Sequence, residues 1–175
     1  MEKRIVMSGF GGQGVLTIGK YVVYGGMHDD KEVTWMPSYG PEMRGGTASC
    51  SVVVSDRQIG SPIVTSADVV IVMNKPSLAK FEPAVKKGGY LFINSSLIDA
   101  KAARTDINAV YVPANDIAVE CGSARNANIV MFGAYVKHTG ITPYETAIAV
   151  LKHSFEKKPA VLETALKCFE AGYAL

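Results

Sequence analysis

Residues 4–15 read Arg-Ile-Val-Met-Ser-Gly-Phe-Gly-Gly-Gln-Gly-Val, and this stretch decides the fold class that the sequence predicts. The apolar run at 5–7 is typical of a buried strand, and the glycine-rich residues after it predict a tight turn. Residues 16–27 continue the pattern as a predicted helix. Such a turn brings backbone N–H groups together at a helix N-terminus, where an anion or a close-packed partner can lie.

Strand-like and helix-like segments alternate along the first two thirds of the chain. Predicted strands cover 5–7, 33–36, 49–54, 69–73, 90–93 and 110–112, and predicted helices cover 16–27, 76–85 and 114–120. The last third switches to helices, one at 126–139 and two marked by apolar residues at helical spacing, the first of them opened by a capping box from Thr142 to Glu145. Several strands are apolar at consecutive positions, as strands covered on both faces are. The sequence therefore predicts an α/β fold, a three-layer α/β/α Rossmann-like sandwich with a largely parallel sheet and C-terminal helices.

The composition excludes several classes of function. The chain has 175 residues, of which 48% are hydrophobic and 19% charged, and we expect one domain over 1–175. The net charge of +2 is made of scattered charges of both signs, so no nucleic-acid surface is indicated. No apolar run approaches the roughly 20 residues that a membrane-spanning helix needs, and we expect a cytoplasmic protein without a membrane segment. The three cysteines form no Cys-x-x-Cys pair, so neither an iron–sulfur cluster nor a structural zinc site is predicted.

The spacing Gly9-x-Gly11-x-x-Gly14 also satisfies the dinucleotide-binding fingerprint. In such domains the second strand ends in an acidic residue that binds the ribose hydroxyls. Here that strand ends in Trp35-Met36-Pro37, whereas the nearby acidic residues precede it. A stand-alone Rossmann-like, NAD-binding dehydrogenase is therefore kept only as an alternative. The sequence has no nucleophile elbow and no metal-ligand spacing of His, Asp and Glu, so it predicts no catalytic residue and no metal site.

A second distinctive stretch is 37–46, which reads Pro-Ser-Tyr-Gly-Pro-Glu-Met-Arg-Gly-Gly. It joins two predicted strands and combines prolines and glycines with an isolated pair of charges, Glu42 and Arg44. Binding residues concentrate in loops of this kind on rigid α/β scaffolds. A structural Ω-loop with a surface ion pair is the alternative.

Together these segments resemble the gamma subunit of 2-oxoacid:ferredoxin oxidoreductases. The matching segments are Gly-Phe-Gly-Gly-Gln-Gly-Val at 9–15, Tyr-Gly-Pro-Glu-Met-Arg-Gly-Gly at 39–46, Gly-Ser-Pro at 60–62, the strand from Asp68 to Asn74, and Asn-Ser-Ser-Leu-Ile at 94–98. The amino-acid sequence of residues 35–46 is more similar to that of the 2-oxoglutarate and branched-chain 2-oxoacid members than to that of the pyruvate members. The equivalent subunit of an indolepyruvate oxidoreductase, which shares the glycine loop, is a further alternative.

The resemblance implies that different subunits perform different parts of the reaction. These enzymes convert a 2-oxoacid to an acyl-coenzyme A by oxidative decarboxylation, here 2-oxoglutarate to succinyl-CoA, and pass the electrons to ferredoxin. Thiamine diphosphate, magnesium and the iron–sulfur clusters belong to partner subunits, which are the alpha, beta and, in some members, delta chains. The gamma chain packs beside the thiamine diphosphate core, helps enclose the coenzyme A side and is not active alone. When isolated, such a chain can form a homodimer.

The resemblance and the glycine turn together indicate candidate contacts to coenzyme A. The candidates are Gly11, Gly12, Gln13, Gly14, Arg44, Arg125 and Asn126. Backbone N–H groups of the turn would face a phosphate, and Arg44 would add a forked cation. Contact with neighbouring subunits is an equally good interpretation of these residues, because arginines also anchor protein interfaces. The predicted interface residues are Tyr39, Pro41, Glu42, Met43, Gly45 and Gly46.

Overall fold

The computed structural model describes residues 1–39 and 47–175, without the side chain of Tyr39. The predictions for Tyr39, Pro41, Glu42, Met43, Arg44, Gly45 and Gly46 therefore lie outside the described side chains. The strands are β1 (Glu2–Phe10), β2 (Glu32–Tyr39), β3 (Thr47–Ser55), β4 (Ala67–Val72), β5 (Val85–Asn94) and β6 (Asn108–Val112). The helices are α1 (Val15–His28), α2 (Lys75–Phe81), α3 (Ala114–Glu120), α4 (Ala127–Thr139), α5 (Tyr144–Ser154) and α6 (Pro159–Tyr173).

The strands form one six-stranded sheet in the order β2-β3-β1-β4-β5-β6. β1, β4, β5 and β6 pair in parallel, whereas β3 is antiparallel to both of its neighbours, β1 and β2. The prediction of an α/β fold with a mostly parallel sheet is confirmed. Only residues 40–46 separate β2 from β3, and a parallel crossover needs about a dozen residues or more. The reversal of β3 follows from this short connection.

Both faces of the central strands are covered, as their uninterrupted apolar sequences predict. Along β1, Ile5 and Met7 point into the larger core, which α1, α3, α4, α5 and α6 complete. Val6 points to the opposite face, where it packs in a smaller core with Leu78 of α2 and with Ile98 from the segment after β5. All three β1 side chains are buried.

The C-terminal helices complete the larger core. In α4 every residue from Ala127 to Val136 is buried, because the helix lies between the sheet and α6. The two helix backbones approach so closely at Gly172 of α6 that a Cβ there would meet the Val130 carbonyl group. No helix in the described part of the chain combines the length and the hydropathy that crossing a bilayer requires.

The capping box predicted from Thr142 to Glu145 is wrong. α5 begins at Tyr144 with Pro143 in the N-cap position, and no side chain caps the helix. Thr142 is buried and packs against Gly25 of α1 instead. Its position is set by the packing of α5 on α1, which sequence spacing does not reveal.

Candidate functional site

The glycine turn between β1 and α1 has the conformation that its sequence predicts. Gly14 is the N-cap residue of α1, with a left-handed φ of 76°, and Gly12 has a φ of 97°. A Cβ on Gly14 would lie 2.6 Å from Nδ2 of Asn128 on α4, whereas a Cβ on Gly12 would point into open space. Gly14 is therefore required by both its backbone angle and its close contact with α4.

The Gln13 side chain holds this turn in place. Its Oε1 accepts a hydrogen bond from the Phe10 N–H at 2.6 Å, and its Nε2 donates to the Met73 carbonyl oxygen at 3.0 Å. The Gln13 backbone N–H also donates to the Phe10 carbonyl oxygen at 3.1 Å. Gln13 thus joins the end of β1 to the residue that follows β4.

The turn presents donors and few competing acceptors. Within the part of the chain that the structure describes, the N–H groups of Gly11, Gly12 and Gly14 have no hydrogen-bond acceptor. The first turn of α1 contains no acidic residue. The first N–H groups of a helix lack intrahelical partners, and the helix dipole adds a partial positive charge at the same end. This end of α1 therefore favours an anion.

A crevice of about 310 Å³ opens beside the turn. Its described lining consists of Gly12, Gln13, Met73, Asn115, Ala124, Arg125 and Ala127. These residues follow the carboxyl ends of β1, β4 and β6, or lie directly before or at the start of α4. From β1 the chain turns to one side of the sheet through α1 and β2, while β4, β5 and β6 extend on the other side. Ligands of open α/β sheets bind at such a change of direction.

The two candidates ahead of α4 have different positions. Arg125 is exposed and lines the crevice together with Gly12 and Gln13. Asn126 is only 8% exposed, and its side chain lies beside the Cys168 thiol of α6. The structure therefore brings Arg125 to the glycine turn and turns Asn126 into the core.

Asn115 lines the crevice, and the sequence interpretation missed it together with the asparagines near it at the strand ends. Asn94, the last residue of β5, donates from Nδ2 to Oδ1 of Asn115 at 2.8 Å. This bond leaves the Asn115 amide nitrogen as its remaining donor group at the crevice. Asn74 follows β4, and its Nδ2, like Oδ1 of Asn94, is buried without a partner in the described chain. The sequence shows an amide residue at the end of β5 and within three residues of the ends of β4 and β6, but only the strand order reveals that these ends share one edge of the sheet.

The chemistry that this crevice offers is the binding of a negatively charged group. Arg125 is the cation of the described lining, which contains no carboxylate and also includes Gly12, Gln13 and Asn115. An arginine fork and helix N–H groups match the oxygen atoms of a phosphate. The described residues include no cluster of three or more His, Cys, Asp and Glu side chains that could hold a metal ion.

The thiols of Cys50 and Cys168 are not activated. Burial raises the pKa of the Cys50 thiol to about 11, and burial likewise raises the pKa of Cys168 to about 11. A thiol with a raised pKa is a poor nucleophile at neutral pH, because the thiolate is the reactive form. These two residues act as small apolar side chains of the core.

Residues 4–175 match the family described as pyruvate ferredoxin/flavodoxin oxidoreductase. The ketoisovalerate oxidoreductase subunit VorA of Methanothermobacter marburgensis is 38% identical over 173 residues, which are 98% of this chain and 36% of VorA. The 2-oxoglutarate synthase subunit KorC of Methanocaldococcus jannaschii is 34% identical over 178 residues, covering 99% of this chain and 93% of KorC. The chain thus spans about a third of VorA and nearly all of KorC.

Solved structures share the fold. The gamma subunit of a keto/oxoacid ferredoxin oxidoreductase from Geobacter sulfurreducens has a TM-score of 0.84 and 28% identity, covering 98% of this chain and 96% of that one. The 2-oxoglutarate:ferredoxin oxidoreductase from Magnetococcus marinus, with 2-oxoglutarate, coenzyme A and succinyl-CoA bound, has a TM-score of 0.90 and 24% identity. That match covers 99% of this chain and 30% of the Magnetococcus chain. With a family match over 4–175 and a relative of matching length, the chain belongs to the pyruvate ferredoxin/flavodoxin oxidoreductase family, as its motifs predict.

Proposed function

We propose that the chain is the gamma-type component of a 2-oxoacid:ferredoxin oxidoreductase and binds a phosphate group of coenzyme A in the crevice beside Gly12. The family match supports the first part, and both relatives are named for 2-oxoacid enzymes. The reaction is the oxidative decarboxylation of a 2-oxoacid to an acyl-coenzyme A, with 2-oxoglutarate as the first substrate to test. Ferredoxin accepts the electrons.

The proposal rests on the position of Arg125, which lines the same crevice as the residues just before the N-terminus of α1. The described lining of this crevice contains no acidic residue. Coenzyme A carries several phosphate oxygens, and each charge-assisted hydrogen bond to them contributes about 1.5–3 kcal/mol. The coenzyme A in the Magnetococcus marinus structure makes this molecule the first ligand to test. Arg44 and the interface residues at 39–46 remain predictions from the sequence.

The reacting groups belong to partner subunits in this proposal. Thiamine diphosphate would supply the carbanion chemistry, and iron–sulfur clusters would carry the electrons, on the alpha, beta and delta chains. The cysteines of this chain do not fit a cluster, because Cys50 lies on β3 and Cys168 is buried in α6. The contribution of this chain is to bind and orient coenzyme A. We place the assembly in the cytoplasm, where free thiols such as these stay reduced.

Purification of the tagged protein from its source cells tests this function. We expect subunits containing thiamine diphosphate and iron–sulfur clusters to co-purify, and the complex to reduce ferredoxin only when both a 2-oxoacid and coenzyme A are present. Recovery of the chain without such subunits would contradict the proposal. So would a large rise in melting temperature with NAD(H), since a ligand at 100 times its Kd stabilises by about 2.7 kcal/mol.

A further inference from the structure

Side-chain hydrogen bonds join the end of β5 to the start of α3 beside the crevice. Asn94, the last residue of β5, donates from Nδ2 to Oδ1 of Asn115 at 2.8 Å. The Ser96 hydroxyl donates to Oδ2 of Asp116 at 2.8 Å, and the Asp116 N–H donates back to the Ser96 hydroxyl at 3.1 Å. We call these four residues the β5–α3 contact. The function proposed above assigns a role to none of them.

Asn94 is the fixed member of the β5–α3 contact. Its side chain is 0% exposed, and its strand pairs with β4 on one side and β6 on the other. Its backbone carbonyl oxygen also accepts the N–H groups of Leu97 at 3.2 Å and Ile98 at 3.0 Å. Close packing restricts the rotamers of a buried side chain. Asn94 therefore sets the orientation of Asn115, which is only partly buried.

Asn115 is the member of the contact that reaches the crevice, where it lies in the same lining as Gly12 and Arg125. A primary amide carries one acceptor oxygen and one donor nitrogen. The Asn115 oxygen is occupied by Asn94, so the nitrogen is the polar atom that remains. Within residues 1–39 and 47–175 this Nδ2 has no acceptor, and it is not a buried atom. The bond to Asn94 therefore makes Asn115 present a donor to the crevice.

Ser96 engages the carboxylate that follows Asn115 in the sequence. An acidic side chain in the crevice would repel an anion, and Asp116 is the next residue of α3. Its Oδ2 accepts the Ser96 hydroxyl, and Asp116 does not belong to the described lining. The β5–α3 contact thus contributes a donor to the crevice and keeps the adjacent acceptor engaged elsewhere. Arg125 is a donor as well, so the lining suits a ligand group that carries only acceptor oxygens.

We propose that Asn115 binds a phosphate oxygen of coenzyme A, and that Asn94 is a positioning residue that directs the Asn115 amide nitrogen to it. The proposal rests on the proposed function, because it adds residues to the crevice beside Gly12. A donor that meets a charged phosphate oxygen forms a charge-assisted hydrogen bond, which is stronger than a bond between neutral groups. Asn94 does not touch the ligand and acts through Asn115.

The coenzyme A dependence of the assembled oxidoreductase tests the binding role. Asn115→Asp keeps an oxygen that accepts the Asn94 bond but places a carboxylate oxygen at the crevice, so it should raise the KM for coenzyme A about 100-fold. Asn115→Ala removes the donor without adding a charge and should raise this KM about tenfold. Gln58→Glu makes the same amide-to-carboxylate change at an exposed position after β3 and should leave the KM unchanged. All three variants should retain kcat and subunit composition.

The outcomes separate this proposal from the function on which it rests. An unchanged KM in both Asn115 variants, with a raised KM in Arg125→Ala, would overturn the role of Asn115 and leave the proposed coenzyme A site standing. An unchanged KM in all three would overturn both. Release of partner subunits by Asn115→Ala, with the KM of the remaining complex unchanged, would make Asn115 an interface residue and would also overturn its role.

A double-mutant cycle tests the positioning role of Asn94. Asn94→Ala should raise the KM for coenzyme A about 3- to 10-fold, because the Asn115 amide then loses its fixed orientation. Combined with Asn115→Ala, the same change should raise the KM no further, because Asn94 acts through Asn115. Asn94→Val, which suits a strand and offers no donor, serves the same cycle if the alanine variant does not assemble. Equal effects with and without the Asn115 side chain would show that Asn94 supports the fold in general, and its positioning role would be wrong.

Discussion

Gln13 and Met73 are joined by a hydrogen bond of 3.0 Å from the glutamine amide to the methionine carbonyl oxygen, across 60 residues of sequence. The same amide group accepts the Phe10 N–H at 2.6 Å. One side chain therefore ties the glycine turn to two neighbouring strands. The position of the Gly11, Gly12 and Gly14 N–H groups depends on these hydrogen bonds, because the described chain shows few other polar contacts between the turn and the sheet.

Replacing Gln13 should loosen the turn. Gln13→Ala removes two hydrogen bonds and should lower the free energy of unfolding by about 1–3 kcal/mol, measured by urea denaturation. Gln13→Glu should cost at least as much, because it places a carboxylate oxygen against the Met73 carbonyl oxygen. Gln58→Ala, at an exposed position after β3, is the control and should stay within about 0.5 kcal/mol of the unaltered protein. A Gln13→Ala effect no larger than that of the control would show that the two Gln13 hydrogen bonds do not stabilise the fold.

Two glycines of the same turn should differ in their tolerance of alanine. Both Gly12 and Gly14 have positive φ, so each substitution should cost about 1–2 kcal/mol in backbone strain. Gly14→Ala should cost 1–3 kcal/mol more, roughly the cost of overpacking, because its Cβ would overlap Asn128. The difference between the urea midpoints of Gly12→Ala and Gly14→Ala measures the cost of the overlap with Asn128. Equal midpoints would mean that α4 shifts freely away from the turn.

Alkaline pH should weaken the fold through Cys50. Its ordinary pKa is 9, and burial raises the pKa in the folded protein to about 11. The folded state therefore disfavours the thiolate, so the stabilisation is fully present below pH 9 and is lost as pH rises to 11. The total loss for a shift of this size is about 2–3 kcal/mol. Unfolding free energies measured from pH 8 to pH 11 should fall less steeply in Cys50→Ala, and parallel curves would contradict the assignment.

The same burial predicts a pattern of thiol reactivity. Cys50 and Cys168 are 2% and 0% exposed, whereas Cys121 is partly exposed. Iodoacetamide at pH 8 should label Cys121 in the folded protein and all three cysteines in urea, as counted by mass spectrometry. Labelling of Cys50 or Cys168 at the rate of Cys121 in the folded protein would show that the helical layer opens readily.

Much of this fold could be predicted from local sequence signals, whereas the remaining features depend on tertiary packing. The buried strands and the turn at Gly14 were predictable because their signals, apolar runs and glycine spacing, are local. The reversal of β3 was missed, although the short stretch from Tyr39 to Thr47 implies it. Thr142 was assigned to a cap because its burial against α1 depends on residues more than 100 positions away.

Some residues of the candidate site could likewise be predicted from local sequence, whereas the positions of others depend on tertiary packing. The glycine turn is visible as a motif, and Arg125 was a candidate because it precedes a helix. Asn126 has the same sequence context but is buried beside Cys168, since the short turn ahead of α4 directs neighbouring side chains to opposite sides. Asn115 reaches the crevice only because β6 lies beside β5, and sequence spacing alone does not give strand order.

The most direct test of the proposed function is the coenzyme A dependence of the assembled oxidoreductase with Arg125→Ala. Loss of one charge-assisted contact of about 1.5–3 kcal/mol should raise the KM for coenzyme A about 10- to 100-fold, with kcat and subunit composition retained. Arg57→Ala, at an exposed position after β3, should leave all three unchanged. If Arg125→Ala instead releases partner subunits while the remaining complex keeps its KM for coenzyme A, the crevice is a subunit contact, and the proposed binding of coenzyme A by this chain is wrong.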